Sequence, residues 1–347
     1  MSPAMHKISV RRQLAGWLMA AFWLAGLSLR AGSPATNAPA PAWPAPPAEP
    51  YIVHVRDLAG PKDIGAKASS WTRFANWITG VKANAENFSR PFGLSLNADG
   101  SLLVTDAGSG QVCQLDLAQK KWLKWKAAGK QKFSSPVAAV RHGETIFVAD
   151  PGLGKIVAFD AGKGRLRLAI TNELQHPSGL ARLGDRLFVT DSQRHQVLVF
   201  GVDGKFLSAF GRRGSGPGEF NYPTHVSADA QNRVYVTDSM NYRLQVFDAE
   251  GKFLREFGSA GDGPGRFSRP KGVAVDSAGH VYVVDALFDN VQIFDEAGRL
   301  LLDLGGSGSE PGKFWLPNAI VINSRDEIFV ADTYNGRIQV LRYTGKK

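Results

Sequence analysis

One proline recurs along this chain at nearly constant intervals: Pro91, Pro136, Pro177, Pro223, Pro270 and Pro317, with gaps of 45, 41, 46, 47 and 47 residues. Three residues before each stands an apolar side chain, namely Phe88, Phe133, Leu174, Phe220, Phe267 and Phe314. Fourteen or fifteen residues after each, an apolar run ends in aspartate, at Asp106, Asp150, Asp191, Asp238, Asp285 and Asp332. Self-similarity at this period requires a repeat architecture, because one short unit cannot bury its own hydrophobic face. Six copies set the number of units.

Each unit reads as strands. In the stretch that follows Pro270, "GVAV", "VYVV", "VQIF" and "LLLDL" are rich in β-branched and aromatic residues, and turn residues separate them. "DSAGH" and "DEAGR" place Asp first and Gly fourth, as tight turns between antiparallel strands prefer. No stretch of the repeat region sustains a helical apolar stripe over three turns. Four-stranded units arranged in a ring leave only short, protected edges. The expected fold is therefore all-β, a six-bladed β-propeller of four-stranded antiparallel blades. The sixth unit ends at Lys347 one strand short, while "VRDL" at Val55–Leu58 matches the fourth-strand segment "LREF" at Leu254–Phe257. Residues 51–59 are thus expected to close the last blade. From Leu58 to Pro91 is 33 residues, against 13 from Phe257 to Pro270, which marks residues 61–87 as carrying an insertion. Within it, "SSWTRFANWITG" spaces Trp71, Phe74 and Ile78 as a helix would, with Ser69 or Ser70 as cap and Gly80 as stop. Such a helix could plug the ring closure or serve as a ligand lid.

Three glycine-rich stretches invite a different reading. "FGRRGSGPGEFNYP", "FGSAGDGPGRFSRP" and "LGGSGSEPGKFWLP" begin 47 residues apart. Glycine loops beside basic residues can cradle phosphate, but that use requires a strand–loop–helix context. A loop that recurs with the repeat is a connection between blades.

The segments "PKGVAVDSAGHVYVVDALFDNVQIFD" and "SMNYRLQVFD" resemble the NHL repeat. The likeness extends over residues 51–347 apart from the insertion, and is weaker in the first two blades. It implies a six-bladed propeller. NHL propellers serve mostly as binding platforms for protein or RNA, and their relatives include lyases that hold a metal in the central channel.

The ends of the chain read as export and spacing. A basic segment with Arg11 and Arg12 precedes sixteen largely apolar residues, Leu14 to Leu29, short for a membrane-spanning helix of about 20 residues and suited to a signal-peptide core. Residues 1–33 are read as a signal peptide or an N-terminal membrane anchor. Residues 34–50, rich in Pro and Ala, read as a semi-rigid linker. The expected location is periplasmic or secreted, or anchored to the inner membrane if the segment is retained. Formal net charge is +10, of which Lys7, Arg11, Arg12 and Arg30 carry four, leaving +6 for the rest. That balance favours anionic partners, whereas export argues against nucleic acid. Cys113 is the only cysteine, so no internal disulfide can form.

The residues that could carry function lie in loops on one face, between each aspartate and the next strand and before each repeat proline. The six aspartates are expected to cap those loops by accepting backbone N–H bonds, with Arg243 and Arg337 paired to two of them. His176, His195 and His225 share this face, and three imidazoles could bind zinc with an open position. The lyases that resemble the family place histidine directly after the repeat proline, where this chain has Phe92, Val137, Ser178, Thr224, Lys271 and Asn318. The remaining loop-face candidates are Arg194, Tyr222, Tyr242, Arg269, Lys271, Phe288, Trp315 and Tyr334, a composition suited to an interface. "QKKWLKWKAAGKQK", with six lysines and two tryptophans, reads as an outer edge strand whose charges discourage aggregation. The expectation is a propeller without cofactor or chemistry of its own, binding a protein or an anionic ligand through its loop face. The alternative is a metal-dependent lyase or hydrolase centred on His225.

Overall fold

The computed structural model describes residues 40–45, 48, 51–66 and 86–345. The expected signal segment, most of the linker and the helix proposed around Trp71 lie outside the described residues. Among the described residues, no helix is long and apolar enough to cross a membrane.

Six antiparallel sheets follow one another in a ring. Their innermost strands are Pro91–Leu96, Ala138–His142, Pro177–Leu183, Pro223–Ala228, Pro270–Val275 and Ile320–Ile322, in blades one to six. Blade five shows the plan: Pro270–Val275, Val281–Asp285, Asn290–Phe294 and Leu300–Gly305 pair in sequence order from channel to rim. Second strands such as Val281–Asp285 are buried on both sides, because a neighbouring blade covers each face. Outer strands such as Lys121–Trp125 alternate or lie open to solvent, which is the rim position expected for the lysine-rich segment.

The ring closes as the match between Val55–Leu58 and Leu254–Phe257 requires. Ile52–Leu58 pairs antiparallel with Arg337–Tyr343, and Arg337 Nη1 donates to Asp57 Oδ2 at 2.8 Å across the join. Blade six also carries a fifth strand. Ala42–Trp43, inside the Pro/Ala-rich stretch, pairs with Val53 and Ile52. Trp43 packs against the core between blades five and six, a docking that alternating Ala and Pro did not announce.

Six apolar clusters fill the six gaps between neighbouring blades. Phe159, Phe200, Phe247 and Phe294, each near the end of a third strand, are fully buried, as are Phe220, Phe267 and Phe314 before the repeat prolines. Burying one phenyl ring contributes about 2–3 kcal/mol, so the recurrent phenylalanines carry much of the adhesion between blades. Polar bolts add direction: Ser178, Ser239 and Thr333 donate to the carbonyls of Pro223, Pro270 and Pro91 in the following blade, at 2.8–2.9 Å. Where innermost strands approach most closely, only glycine fits. A Cβ on Gly93 would lie 2.2 Å from the Val137 carbonyl oxygen, and one on Gly272 would lie 2.8 Å from Ala319 Cα.

The six strand-ending aspartates are wholly buried. Each carboxylate accepts backbone N–H bonds from the loop that leads into its own blade, for example Ser89 and Arg90 on Asp106 at 2.8 and 2.9 Å. Ser268 and Arg269 bond Asp285 in the same way, at 2.7 and 3.0 Å. Arg243 and Arg337 pair with Asp238 and Asp332 at 2.9 and 2.7 Å. These acids hold the loops in place.

Candidate functional site

The glycine loops are built around one buried amide each. Gln245, Gln292 and Gln339 stand seven residues after the aspartates of blades four, five and six. Their Oε1 atoms accept from Gly218, Gly265 and Gly312 N at 2.8, 3.1 and 2.8 Å. Their Nε2 atoms donate to the carbonyls of Glu219, Arg266 and Lys313 at 2.7, 2.8 and 2.5 Å. Each loop adds an isolated bridge to its aromatic anchor: Arg213 to Phe220, Ala260 to Phe267, Ser307 to Phe314. Further loop N–H groups are taken up internally, Gly216 N on the Glu219 carboxylate and Gly214 N on the Phe220 carbonyl. Backbone donors spent inside the loop do not form a phosphate cradle.

On this pinned scaffold sits a crown of exposed apolar side chains. Tyr222, Trp315 and Tyr334 are 46%, 53% and 49% exposed, and Met240 and Leu287 are 52% and 53% exposed. Trp315 and Tyr334 stack at a tilt, with ring centroids 5.7 Å apart. The other expected loop-face residues divide. Arg269 is exposed, whereas Arg194 is half-buried and pairs with Glu173 at 3.3 Å. Phe288 is half-buried under the blade-five glycine loop, and Tyr242 is half-buried against the core between blades four and five. His195 is buried, its Nδ1 accepting from Tyr222 N at 3.2 Å while its ring meets Tyr222 edge-on. It supports the tyrosine. Met240 and Leu287 escaped notice in the sequence, although both stand two residues after an aspartate, as Tyr334 does.

The three histidines do not combine. His176 bonds Ser192 Oγ through Nδ1 at 2.9 Å, and His195 is committed to Tyr222. His225 reaches across the channel from blade four to blade six. There Asn318 Nδ2 donates to Nε2 at 3.1 Å, while the same amide nitrogen donates to the Phe92 carbonyl in blade one at 3.0 Å. With Nε2 accepting, Nδ1 carries the proton and donates to Thr224 Oγ1 at 3.1 Å. The chain of hydroxyls continues through Ser239 to the Pro270 carbonyl at 2.7 and 2.9 Å. Burial, then the nearby Lys271 ammonium, push the His225 pKa down to about 3. Lys271 is itself pushed down to about 8 by burial and by Arg269. Neutral, with both nitrogens engaged, His225 is a crossbar that tethers three blades. Among the described residues, no three His, Cys, Asp or Glu side chains converge on a common point.

Residues 166–233 and 228–289 match a family described as a 6-bladed beta-propeller, and residues 314–341 match the NHL repeat. The chain is a six-bladed propeller with an NHL repeat at residues 314–341. Solved structures of similar fold include an auxiliary nutrient binding protein from Bacteroides thetaiotaomicron, at 13% identity and TM-score 0.59, covering 74% of this chain and 70% of that one. Virginiamycin B lyase from Staphylococcus aureus is similar at 13% identity and TM-score 0.52, covering 73% and 95%. A nidogen/laminin complex provides a third, at 17% identity and TM-score 0.53, covering 72% and 92%. Likeness at this distance is likeness of fold.

Proposed function

We propose that this NHL propeller is an exported, non-enzymatic binding module of the cell envelope, and that it engages a protein through the loop face of blades four to six. The observation that supports this most is the crown: Tyr222 and Trp315 are exposed at the ends of loops that buried glutamines hold, and Met240, Leu287 and Tyr334 are exposed on the neighbouring turns, whose backbone bonds to those loops. Rigid apolar side chains bind with little loss of conformational freedom, and large exposed aromatics are the usual anchors of an interface. Exposed Arg269 beside them favours a partner with an acidic rim around an apolar centre. Export rests on the basic and apolar pattern of residues 1–33. His225 belongs to the scaffold in this reading, because its nitrogens have no free lone pair or proton for a substrate.

Affinity capture from an envelope extract tests the proposal, with the wild-type chain and the Trp315→Ala/Tyr334→Ala double variant as bait. The double variant should lose the captured partner, since each anchor contributes roughly 2 kcal/mol or more. Lys121→Ala/Lys124→Ala, on the rim strand, should retain it. The reverse pattern would move the interface to the blade edge.

A further inference from the structure

Blade five departs from its two neighbours beside its glycine loop. Five residues after the aspartate, blades four and six have Arg243 and Arg337, whereas blade five has Asn290. Two positions earlier, Phe288 stands where those blades have Asn241 and Asn335. Both arginines are held alike. Nη1 donates to an acid on the fourth strand of the blade, Glu256 at 2.9 Å or Asp57 at 2.8 Å. Nη2 donates to a glycine-loop carbonyl, that of Gly216 or Glu310, at 2.9 Å in each case. A second loop carbonyl, of Glu219 or Lys313, accepts from the same Nη2 at 2.9 and 3.0 Å.

Blade five keeps the acceptors of this cradle and has no arginine to fill it. Asp303 stands opposite Gln292, as Glu256 stands opposite Gln245 and Asp57 opposite Gln339. Asp303 is exposed, and its carboxylate has no partner among the described residues. The Gly263 carbonyl, counterpart of Gly216 and Glu310, accepts only the Arg266 N–H among the described residues, at 3.1 Å. Asn290 Oδ1 is buried and likewise has no donor there. Beside these groups lies a cavity of about 300 Å³ whose lining includes Asp262, Gly263, Phe288, Asn290 and Asp303. The loop's own cation does not serve it: Arg266 Nη1 bonds the Ala260 carbonyl at 3.1 Å, and Arg266 is not part of the lining.

We infer that this blade-five cavity takes the guanidinium of an arginine side chain presented by the protein that the loop face binds. The source of the arginine rests on the function proposed above, whereas the guanidinium chemistry rests on the repeat itself. In the blade on either side, the same acid and the same loop carbonyl hold a guanidinium. A carboxylate with a carbonyl nearby suits that planar fork of donors better than a compact ammonium. Phe288 adds an aromatic ring where blades four and six have an amide, and arginine is the cation most often found against such rings. Leu287, the preceding residue, is exposed in the crown, so the cavity borders the same interface.

Isothermal titration of the full chain with the Nα-acetyl amides of arginine, citrulline and lysine, and with free arginine, tests the assignment. The arginine amide should bind at one site per chain in the millimolar range. Its neutral isostere, the citrulline amide, should bind more weakly by on the order of tenfold or more, the scale of a charge-assisted hydrogen bond. The lysine amide should also bind more weakly. Asn290→Arg, which supplies a guanidinium from the chain itself, should abolish binding. Asp303→Asn, at an exposed position, should weaken it by a factor similar to the citrulline change, and it decides the matter if Asn290→Arg fails to fold. No binding of the arginine amide, equal binding of the citrulline or lysine amide, or full affinity in either variant would each overturn the assignment. Tighter binding of free arginine than of its capped amide would overturn a partner protein as the source. No partner is present in this titration, so its failure leaves the crown standing, and a failed capture through the crown leaves the cavity standing.

Discussion

Blades one to three and blades four to six share the same four-stranded meander and the same buried aspartate, and they diverge at one interior position. Seven residues after the aspartate, the first half has Cys113, Val157 and Leu198, and the second has Gln245, Gln292 and Gln339. Each glutamine pins a glycine loop, and only the second half has such loops. Two residues after the aspartate, the first half has Gly108, Gly152 and Gln193, where the second has Met240, Leu287 and Tyr334. Internal rigidity and external apolar display occur together. A buried amide needs partners for both of its ends, and a glycine-rich loop needs something to hold it, so each satisfies the other. The half of the ring that pins its loops is the half that can present a preformed surface.

The largest expected effect tests whether the second half stands without the chain's N-terminal strand. A protein beginning at residue 61 lacks Ile52–Leu58 and the Asp57–Arg337 pair, so its melting temperature should fall by more than about 10 °C relative to one beginning at residue 40. Equal melting curves would mean that blade six is stable as a three-stranded edge.

Acid should weaken the crossbar next. His225 in the folded chain titrates near 3, against an unfolded value near 6.5. Between those values the unfolded chain binds the extra proton, so its contribution to stability is whole above pH ~6.5 and lost as pH falls toward ~3. Wild type should lose a few kcal/mol more than His225→Gln over that window in urea melts at stepped pH. Parallel slopes would show that the imidazole is not held neutral.

The interior glutamine comes third. Gln292→Leu leaves Gly265 N–H and the Arg266 carbonyl without their partner and should cost about 2–3 kcal/mol. Cys113→Val, at the matching position of blade one, should stay within about 1.5 kcal/mol because the site is already apolar. Similar costs at both positions would remove the distinction between the halves. The smallest test is chemical: burial pushes the Cys113 thiol far up, so a thiol reagent should modify it only after unfolding.

Much of this was legible before any coordinates. Proline and aspartate at fixed spacing announced six blades, and the match between Val55–Leu58 and Leu254–Phe257 announced the closing strand. The pairing of Arg243 and Arg337 with their aspartates was legible because each pair is five residues apart. Gln245 and its loop glycine are 27 residues apart, and His225 and Asn318 are 93 apart. Neither pair leaves a mark on local periodicity. The recurrence of glutamine in only those repeats that carry a glycine loop is the signal that the sequence holds for this contact. The histidines read as a shared cluster because all three belong to one face, whereas their hydrogen bonds send each to a different partner.

Alternation, turn residues and repeat period determined that the chain makes six strand-rich units, since those properties act between residues a few positions apart. Which side chains meet across the channel, and that Ala42–Trp43 docks as a fifth strand, depend on how six blades pack once the ring is closed. Ring closure places residues from distant repeats within hydrogen-bonding reach, and the geometry of that encounter belongs to the tertiary structure.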